Sequence, residues 1–166
     1  MAVRRARLYT IGLGSFVVSL NGLRVGDHIL DPPQTAYPSR ALFSSYNVTQ
    51  RLRPGSNVVG ALLGRYKYGY MDVWCDLTAA GHAENACRSL RFQLVVELAD
   101  SSVLTHVSSS RPEVARWYGR QGPIIYDHEY HGEQKDGRMA LPGWDDLAHL
   151  AVGETVILMT PPFYPC

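Results

Sequence analysis

With 166 residues the chain is long enough for one domain with a full core and too short for two comfortable ones. Sixteen basic residues against fifteen acidic ones leave a net charge of +1, so no basic excess points to nucleic acid and no acidic tail is present. No run approaches the ~20 apolar residues of a membrane helix, and three cysteines without a CxxC pair argue against a thiolate zinc site.

Residues 7–11 are rich in Leu, Tyr, Thr and Ile and read as a strand, which Gly12-Leu13-Gly14 breaks. Phe16, Val18 and Leu20 alternate with Ser15, Val17 and Ser19, predicting a second strand with one apolar face. Asn21-Gly22 is the strongest short hairpin signal a sequence offers, because both residue types accept positive φ, and Gly26 closes the unit. Arg4, Arg5 and Arg7 ahead of this apolar run imitate a secretory signal. Gly, Ser, Thr and Tyr interrupt the run, however, and no small-x-small site follows. It is read as sheet, which leans the expected location toward the cytoplasm.

Residues 27–40 hold three prolines and no periodicity, and are expected to form a crossing loop. Strand character returns over residues 41–49. Asn47-Val48-Thr49 is formally a glycosylation acceptor, but reads better as a polar strand end that bonds its own backbone two residues on. A short turn over residues 50–55 leads to residues 56–64, an almost continuous apolar run expected to be a central strand. Residues 65–74 bring Tyr66, Tyr68, Tyr70 and Trp74 close together, and residues 75–88 read as an exposed loop. Cys75 and Cys87 flank that loop. A bridge between them needs an oxidising compartment, and unpaired thiols are the preferred reading.

Residues 89–98 are the clearest half-buried strand, with Leu90, Phe92, Leu94 and Val96 set against Arg91, Gln93 and Glu97. Residues 99–102 turn it into a hairpin with 103–107. Further strands are expected at 114–118, 121–130 and 154–159, with a polar loop over 131–142 and one helical turn at 143–146 capped by Asp145. No segment sustains helical periodicity. About nine short strands at irregular spacing predict an all-β domain, a jelly-roll β-sandwich of two antiparallel sheets with long loops. It spans residues 1–166, with its core over about residues 6–159.

Two groups of residues are candidates for chemistry. Asp127, Glu129 and His131 share a face of an extended segment, with Glu133 and Asp136 close behind. Three readings compete for them: a calcium site built on carboxylate oxygens, a glycosidase pair spanning ~5–9 Å, or a structural tie. In the structural reading Glu133, Asp136 and Arg138 fasten a long loop to the sheet through hydrogen bonds and a buried ion pair. His128 and His131 are separated by two residues rather than three, so no HExxH zinc protease is present. Gly12-Leu13-Gly14 lacks a third glycine and a following helix, so it is no dinucleotide site. The second group is aromatic: Tyr66, Tyr68, Tyr70 and Trp74, which Tyr37 and Trp117 are placed to join. Sugar C–H faces pack on such rings while their hydroxyls take polar partners; the alternative is that about half of these rings fill core or edge positions.

Ordered matches across most of the chain resemble one family. Ala6-Arg7-Leu8-Tyr9, Gly12-Leu13-Gly14, Leu20-Asn21-Gly22 and Arg24-Val25-Gly26-Asp27 resemble the opening of the N-terminal β-sandwich domain of bacterial-type α-L-rhamnosidases. Leu30, Pro32, Thr35, Tyr37 and Arg40, then Tyr46, Val48-Thr49, Leu52, Gly55, Asn57 and Leu63-Gly64, fall at its following positions. Gly122-Pro123-Ile124, Asp127, Tyr130, Gly132-Glu133, Asp136 and Arg138 resemble its second signature, and Pro142-Gly143-Trp144-Asp145 its closing segment. The chain departs from the family at Asn47, at Lys135 and over residues 65–70.

The resemblance implies a galactose-binding-domain-like sandwich and a non-catalytic carbohydrate-recognition role, with L-rhamnose or a similar sugar as partner. The expected sugar contacts are Tyr37, Tyr66, Tyr68, Tyr70, Trp74, Asp127 and Glu129. No cofactor is required, but some members of the family bind rhamnose through calcium, which makes Asp127 and Glu129 its candidate ligands here. Asn21, Gly22, Gly26, Glu133, Asp136 and Arg138 are expected to be structural. No catalytic residue is assigned, because the family's catalytic helical barrel is not among these residues. That barrel, or another catalytic protein, is a second expected partner. Two alternatives stand beside this reading: a structural accessory domain without a ligand, and a small free-standing glycoside hydrolase using Glu129 or Glu133.

Overall fold

The computed structural model describes residues 2–37, 39–64, 66, 68, 89–108, 117–128, 130–149 and 155–159. Its strands in chain order are β1 (Val3–Leu13), β2 (Ser15–Leu20), β3 (Leu23–Arg24), β4 (Phe43–Asn47), β5 (Val59–Gly64), β6 (Ser89–Leu98), β7 (Val103–Val107), β8 (Trp117–Gln121), β9 (Ile124–His128), β10 (Gly132–Lys135) and β11 (Thr155–Met159). Single 3-10 turns occupy Thr49–Arg51, Gly137–Met139 and Leu147–His149. A four-stranded sheet runs β4-β1-β6-β7, a five-stranded sheet runs β3-β2-β5-β11-β8, and β9 and β10 form a separate ribbon.

Period-two alternation builds the core. Ala6 and Leu8 of β1 stand opposite Val96 and Leu94 of β6, and all four point inward. Phe16 and Val18 of β2 stand opposite Leu63 and Ala61 of β5 on the facing sheet. Together with Leu20, Val25, Val48, Val59 and Leu98 they form one buried cluster between the sheets. Each fully buried Val, Leu or Phe contributes roughly 1.5–3 kcal/mol, so this cluster supplies most of the drive to fold. The chain is thus all-β, a jelly-roll sandwich.

The structure adjusts several boundaries. β1 is longer than the expected 7–11: it stays paired with β6 from Leu13↔Ser89 to Val3↔Leu98, and the break falls at Gly14 (φ 96°). The expected polar loop at 131–142 contains β10, which pairs with β9 and is exposed throughout. The strand expected at 114–118 overlaps β8 only at Trp117 and Tyr118, the rest lying outside the described residues. β11 departs from the antiparallel rule, running parallel to both β5 and β8. The turn expected at 143–146 is hydrogen-bonded, but Asp145 acts through its carbonyl, which accepts from Gly22 N at 2.8 Å.

That last bond joins the β2–β3 hairpin to the 143–146 turn. Trp144 and Asp145 lie over the outer face of the five-stranded sheet, where Ser19 pairs with Gly60. A Cβ at position 60 would sit 2.6 Å from both Asp145 Cβ and Ser19 Oγ, and 2.9 Å from the Trp144 ring. Gly60→Ala is therefore expected to lower stability by roughly 1–3 kcal/mol through overpacking. Gly137→Ala, where a Cβ meets nothing within 4 Å, is expected to be neutral. Chemical denaturation of the two variants makes the comparison.

Candidate functional site

Two polar anchors hold the loops around the sandwich. In the first, Asn21 and Gly22 take φ values of 55° and 79°, forming the predicted tight turn between β2 and β3. Asn21 is 3% exposed. Its Oδ1 accepts from Val58 N at 2.9 Å, and its Nδ2 donates to Arg51 O at 2.9 Å and to Asn57 Oδ1 at 2.8 Å. Asn57 in turn ties the 53–55 bend, bonding both the N–H and the carbonyl of Arg53. The Asn47 side-chain Oδ1 accepts from Thr49 N and Oγ1, so this acceptor-like tripeptide is a strand-ending turn.

The second anchor is Asp31, buried at the start of the 31–40 loop, whose carbonyl accepts from Phe16 N at 2.8 Å. Its carboxylate accepts from Ser44 Oγ at 2.7 Å and from the Tyr46 hydroxyl, and lies 3.0 Å from His28 Nδ1. Burial pushes the Asp31 carboxyl up, but the bonds from Tyr46, Ser44 and His28, with the nearby His28 charge, together hold it below its ordinary value. Burial and the Asp31 carboxylate push the Tyr46 phenol up to about 12. Gly26 (φ 72°) lets the Tyr46 ring lie against its backbone. Sequence reasoning missed this group: its members are dispersed over residues 28–46, and only the strand register brings them together.

The C-terminal end of β5 gathers four of the expected sugar contacts. Asp127 Oδ2 comes within 3.1 Å of where a Cβ on Gly64 would stand, so the carboxylate packs on the last residue of β5. Tyr66 follows two residues later, and the Tyr68 ring meets Tyr37 edge to face at 5.0 Å and 81°. The Tyr37 hydroxyl is buried and has no hydrogen-bond partner among the described residues. Burial, and then the neighbouring Tyr66, push its phenol above the ordinary value, so it stays a neutral donor. Tyr70, Trp74 and Glu129 lie outside the described residues, as do Cys75, Cys87 and Cys166, while Trp117 is described only as part of β8.

The second signature is a surface ribbon. Glu133 stands opposite Asp127 across β9 and β10, and is exposed. The expected buried ion pair is instead a local, open one. Arg138 donates to Asp136 through Nη2 at 2.7 Å and Nε at 2.9 Å, with the Arg138 side chain 91% exposed. Those bonds hold the Asp136 carboxyl below its ordinary value, and its Oδ1 also caps the Gly137–Met139 turn through Arg138 N. Among the described residues no three His, Cys, Asp or Glu side chains gather as a metal site.

Sequence reasoning also missed a groove of about 480 Å³ at the four-stranded sheet, lined by Tyr9, Ile11, Phe43, Arg91, Gln93 and Val107 among others. Its residues come from four strands. The one sequence signal was that Tyr9, Ile11, Arg91 and Gln93 occupy the non-core positions of their alternations.

A two-sheet jelly roll closed by an Asn-Gly hairpin and a Trp-Asp latch defines a galactose-binding-like β-sandwich domain. The chain belongs to the α-L-rhamnosidase N-terminal domain family, whose profile matches residues 1–158. It is 35% identical to an α-L-rhamnosidase of Streptomyces avermitilis over 156 residues, covering 90% of this chain and 14% of that protein. It is 31% identical to one from Formosa agariphila, covering 86% of this chain and again 14% of the relative. Among solved structures it superposes on the α-L-rhamnosidase from Dictyoglumus thermophilum with a TM-score of 0.70 at 32% identity, covering 87% of this chain and 15% of that one. The Streptomyces avermitilis α-L-rhamnosidase complexed with L-rhamnose gives a TM-score of 0.62 at 28% identity, over 87% of this chain and 13% of that one. This chain therefore spans only about one seventh of the relatives it matches.

Proposed function

We propose that this chain is a non-catalytic carbohydrate-recognition domain of an α-L-rhamnosidase-like protein, taking L-rhamnose or a similar sugar at the end of β5. The observation that carries the reading is the Tyr37 hydroxyl, buried without a partner among the described residues beside the Tyr68 ring. A pyranose needs a ring for its C–H face and polar groups for its hydroxyls. Tyr66 and Tyr68 supply the first, and Tyr37 with Asp127 the second. L-rhamnose is the first sugar to test because the Streptomyces avermitilis relative was solved in complex with it. Catalysis is assigned to the parts of the relatives that this chain does not match, and that catalytic portion is its expected protein partner.

The proposed contacts are made without calcium. The described carboxylates here, Asp127 and the opposite Glu133, carry four of the roughly six to eight oxygens calcium takes, and Glu129 lies outside the described residues. In this proposal Asp127 bonds the sugar hydroxyls directly.

Calorimetric titration with L-rhamnose, with calcium and with a chelator, tests the proposal. Binding is expected in both buffers. Tyr37→Phe and Tyr68→Ala are each expected to weaken it about tenfold, the ~1.4 kcal/mol of one good contact. Heat lost only in chelator would assign Asp127, with Glu129, to calcium. No heat in either buffer would make the domain a scaffold without a ligand. Turnover of an aryl rhamnoside by this chain would overturn the non-catalytic reading.

A further inference from the structure

The outer face of the four-stranded sheet carries an independent set of observations. Ile11 stands between Phe43 on β4 and Arg91 on β6, and Tyr9 stands between Ser45 and Gln93. These residues, with Val107 on β7, line the groove of about 480 Å³, which is within the roughly 300–1,000 Å³ of small-molecule sites. Phe43 is 65% exposed and meets Tyr9 edge to face at 6.1 Å. Three aromatic residues, Tyr9, Phe43 and Phe92, thus line the groove together with a guanidinium and an amide.

Among the described residues the one charged side chain that lines the groove is Arg91. The four strands of this sheet contain Arg4, Arg5, Arg7 and Arg91, and a single acidic residue, Glu97. Arg4 takes that acid at 2.8 Å, and Arg7 donates to Ser45 Oγ at 3.1 Å. Among the described residues Arg91, at the groove itself, has no ion-pair partner. A guanidinium is a planar fork matched to a carboxylate, and aromatic rings match the C–H face of a pyranose.

We propose that this groove is a second sugar site, one that takes a uronate-bearing oligosaccharide. The rings of Tyr9 and Phe43 receive the pyranose face, Arg91 receives the uronate carboxylate, and Gln93 receives a ring hydroxyl. The proposal stands apart from the rhamnose reading, since the two sites share no residue.

The test titrates trigalacturonate into the full chain at low and high salt, with Arg91→Gln and Phe43→Ala as variants. Both positions are exposed, so the variants are expected to melt like the parent. Trigalacturonate is expected to bind. Arg91→Gln should weaken it about tenfold or more, as should high salt, because an exposed pair is screened. Its methyl ester should bind more weakly and be indifferent to Arg91→Gln. L-rhamnose binding at the end of β5 should be the same in Phe43→Ala and the parent, so failure at either site is read separately. The proposal is overturned if trigalacturonate does not bind, or if both variants bind it like the parent. It is also overturned if hexaglutamate binds as tightly, which would mark a surface for acidic polypeptide instead.

Discussion

Asn21→Ala is expected to remove roughly 3–5 kcal/mol of folding stability, the largest single loss outside the apolar core. The side chain makes three hydrogen bonds at 2.8–2.9 Å, to Val58 N, Arg51 O and Asn57 Oδ1. Each contributes about 1 kcal/mol net, and removing the amide leaves buried partners without a replacement. The backbone adds to this. Asn21 sits at φ 55°, a conformation that costs a residue with an ordinary Cβ roughly 1–2 kcal/mol and that Asn tolerates better. Asn21→Asp is not conservative here. It keeps the acceptor for Val58 N but sets oxygen against the Arg51 carbonyl and Asn57 Oδ1. Urea unfolding of Asn21→Ala beside Leu23→Ala, whose side chain is 57% exposed, separates the effect from general hairpin damage. A loss below about 1 kcal/mol in Asn21→Ala would mean that the network is not what fixes the hairpin to the 51–58 segment.

Asp31→Ala is expected to cost roughly 2–4 kcal/mol, because the Ser44 and Tyr46 hydroxyls lose their common acceptor in a buried setting. Its pH signature is distinct. The folded-state carboxyl of Asp31 lies below its ordinary value of 3.8, so its contribution is fully present above that pH. As pH falls through the lowered folded-state value, the contribution is lost. Tyr46 acts at the other end. Its phenol, raised to about 12, keeps its proton in the folded state where the unfolded chain loses it near 10. Stability from Tyr46 is therefore present below pH 10 and lost as pH rises toward 12. Wild type should lose more stability than Asp31→Ala between pH 5 and pH 2, and the two curves should converge in acid. Parallel curves would show that the carboxylate is not the anchor.

The sequence made part of this fold legible because some physical signals are local. The Asn21-Gly22 turn depends on two adjacent residues that accept positive φ. β6 shows itself as a ten-residue alternation, and its observed bounds match the expected 89–98. β10 was hidden for the complementary reason: Gly132–Lys135 is exposed at every position, so no apolar alternation marks it. β1 outran its expected length because Gly12 and Leu13 keep their ladder partners Leu90 and Ser89, and only Gly14 leaves extended geometry. The parallel pairing of β11 is a property of topology, which a single strand's composition does not encode.

The candidate sites divide the same way. Tyr66 and Tyr68 stand out by spacing, and the family resemblance drew Tyr37 and Asp127 beside them. That Tyr37 meets Tyr68, and that Asp127 lies on Gly64, are tertiary facts. The Asp31 anchor gave no local pattern, and the Tyr9–Phe43–Arg91 groove gave only the non-core positions of its alternations, since each is brought together across distant segments by strand register. The buried ion pair expected at Asp136 and Arg138 is instead a bond between residues two apart across a surface turn, which leaves the Arg138 side chain 91% exposed.

Sugar recognition at the end of β5 can be read from the backbone amide shifts of the isotopically labelled chain during titration with L-rhamnose. Saturable shifts are expected at Gly64, Tyr66, Tyr68, Tyr37 and Asp127, with little change along β1 and β6. Shifts absent at saturating sugar, or confined to surfaces away from β5, would contradict it.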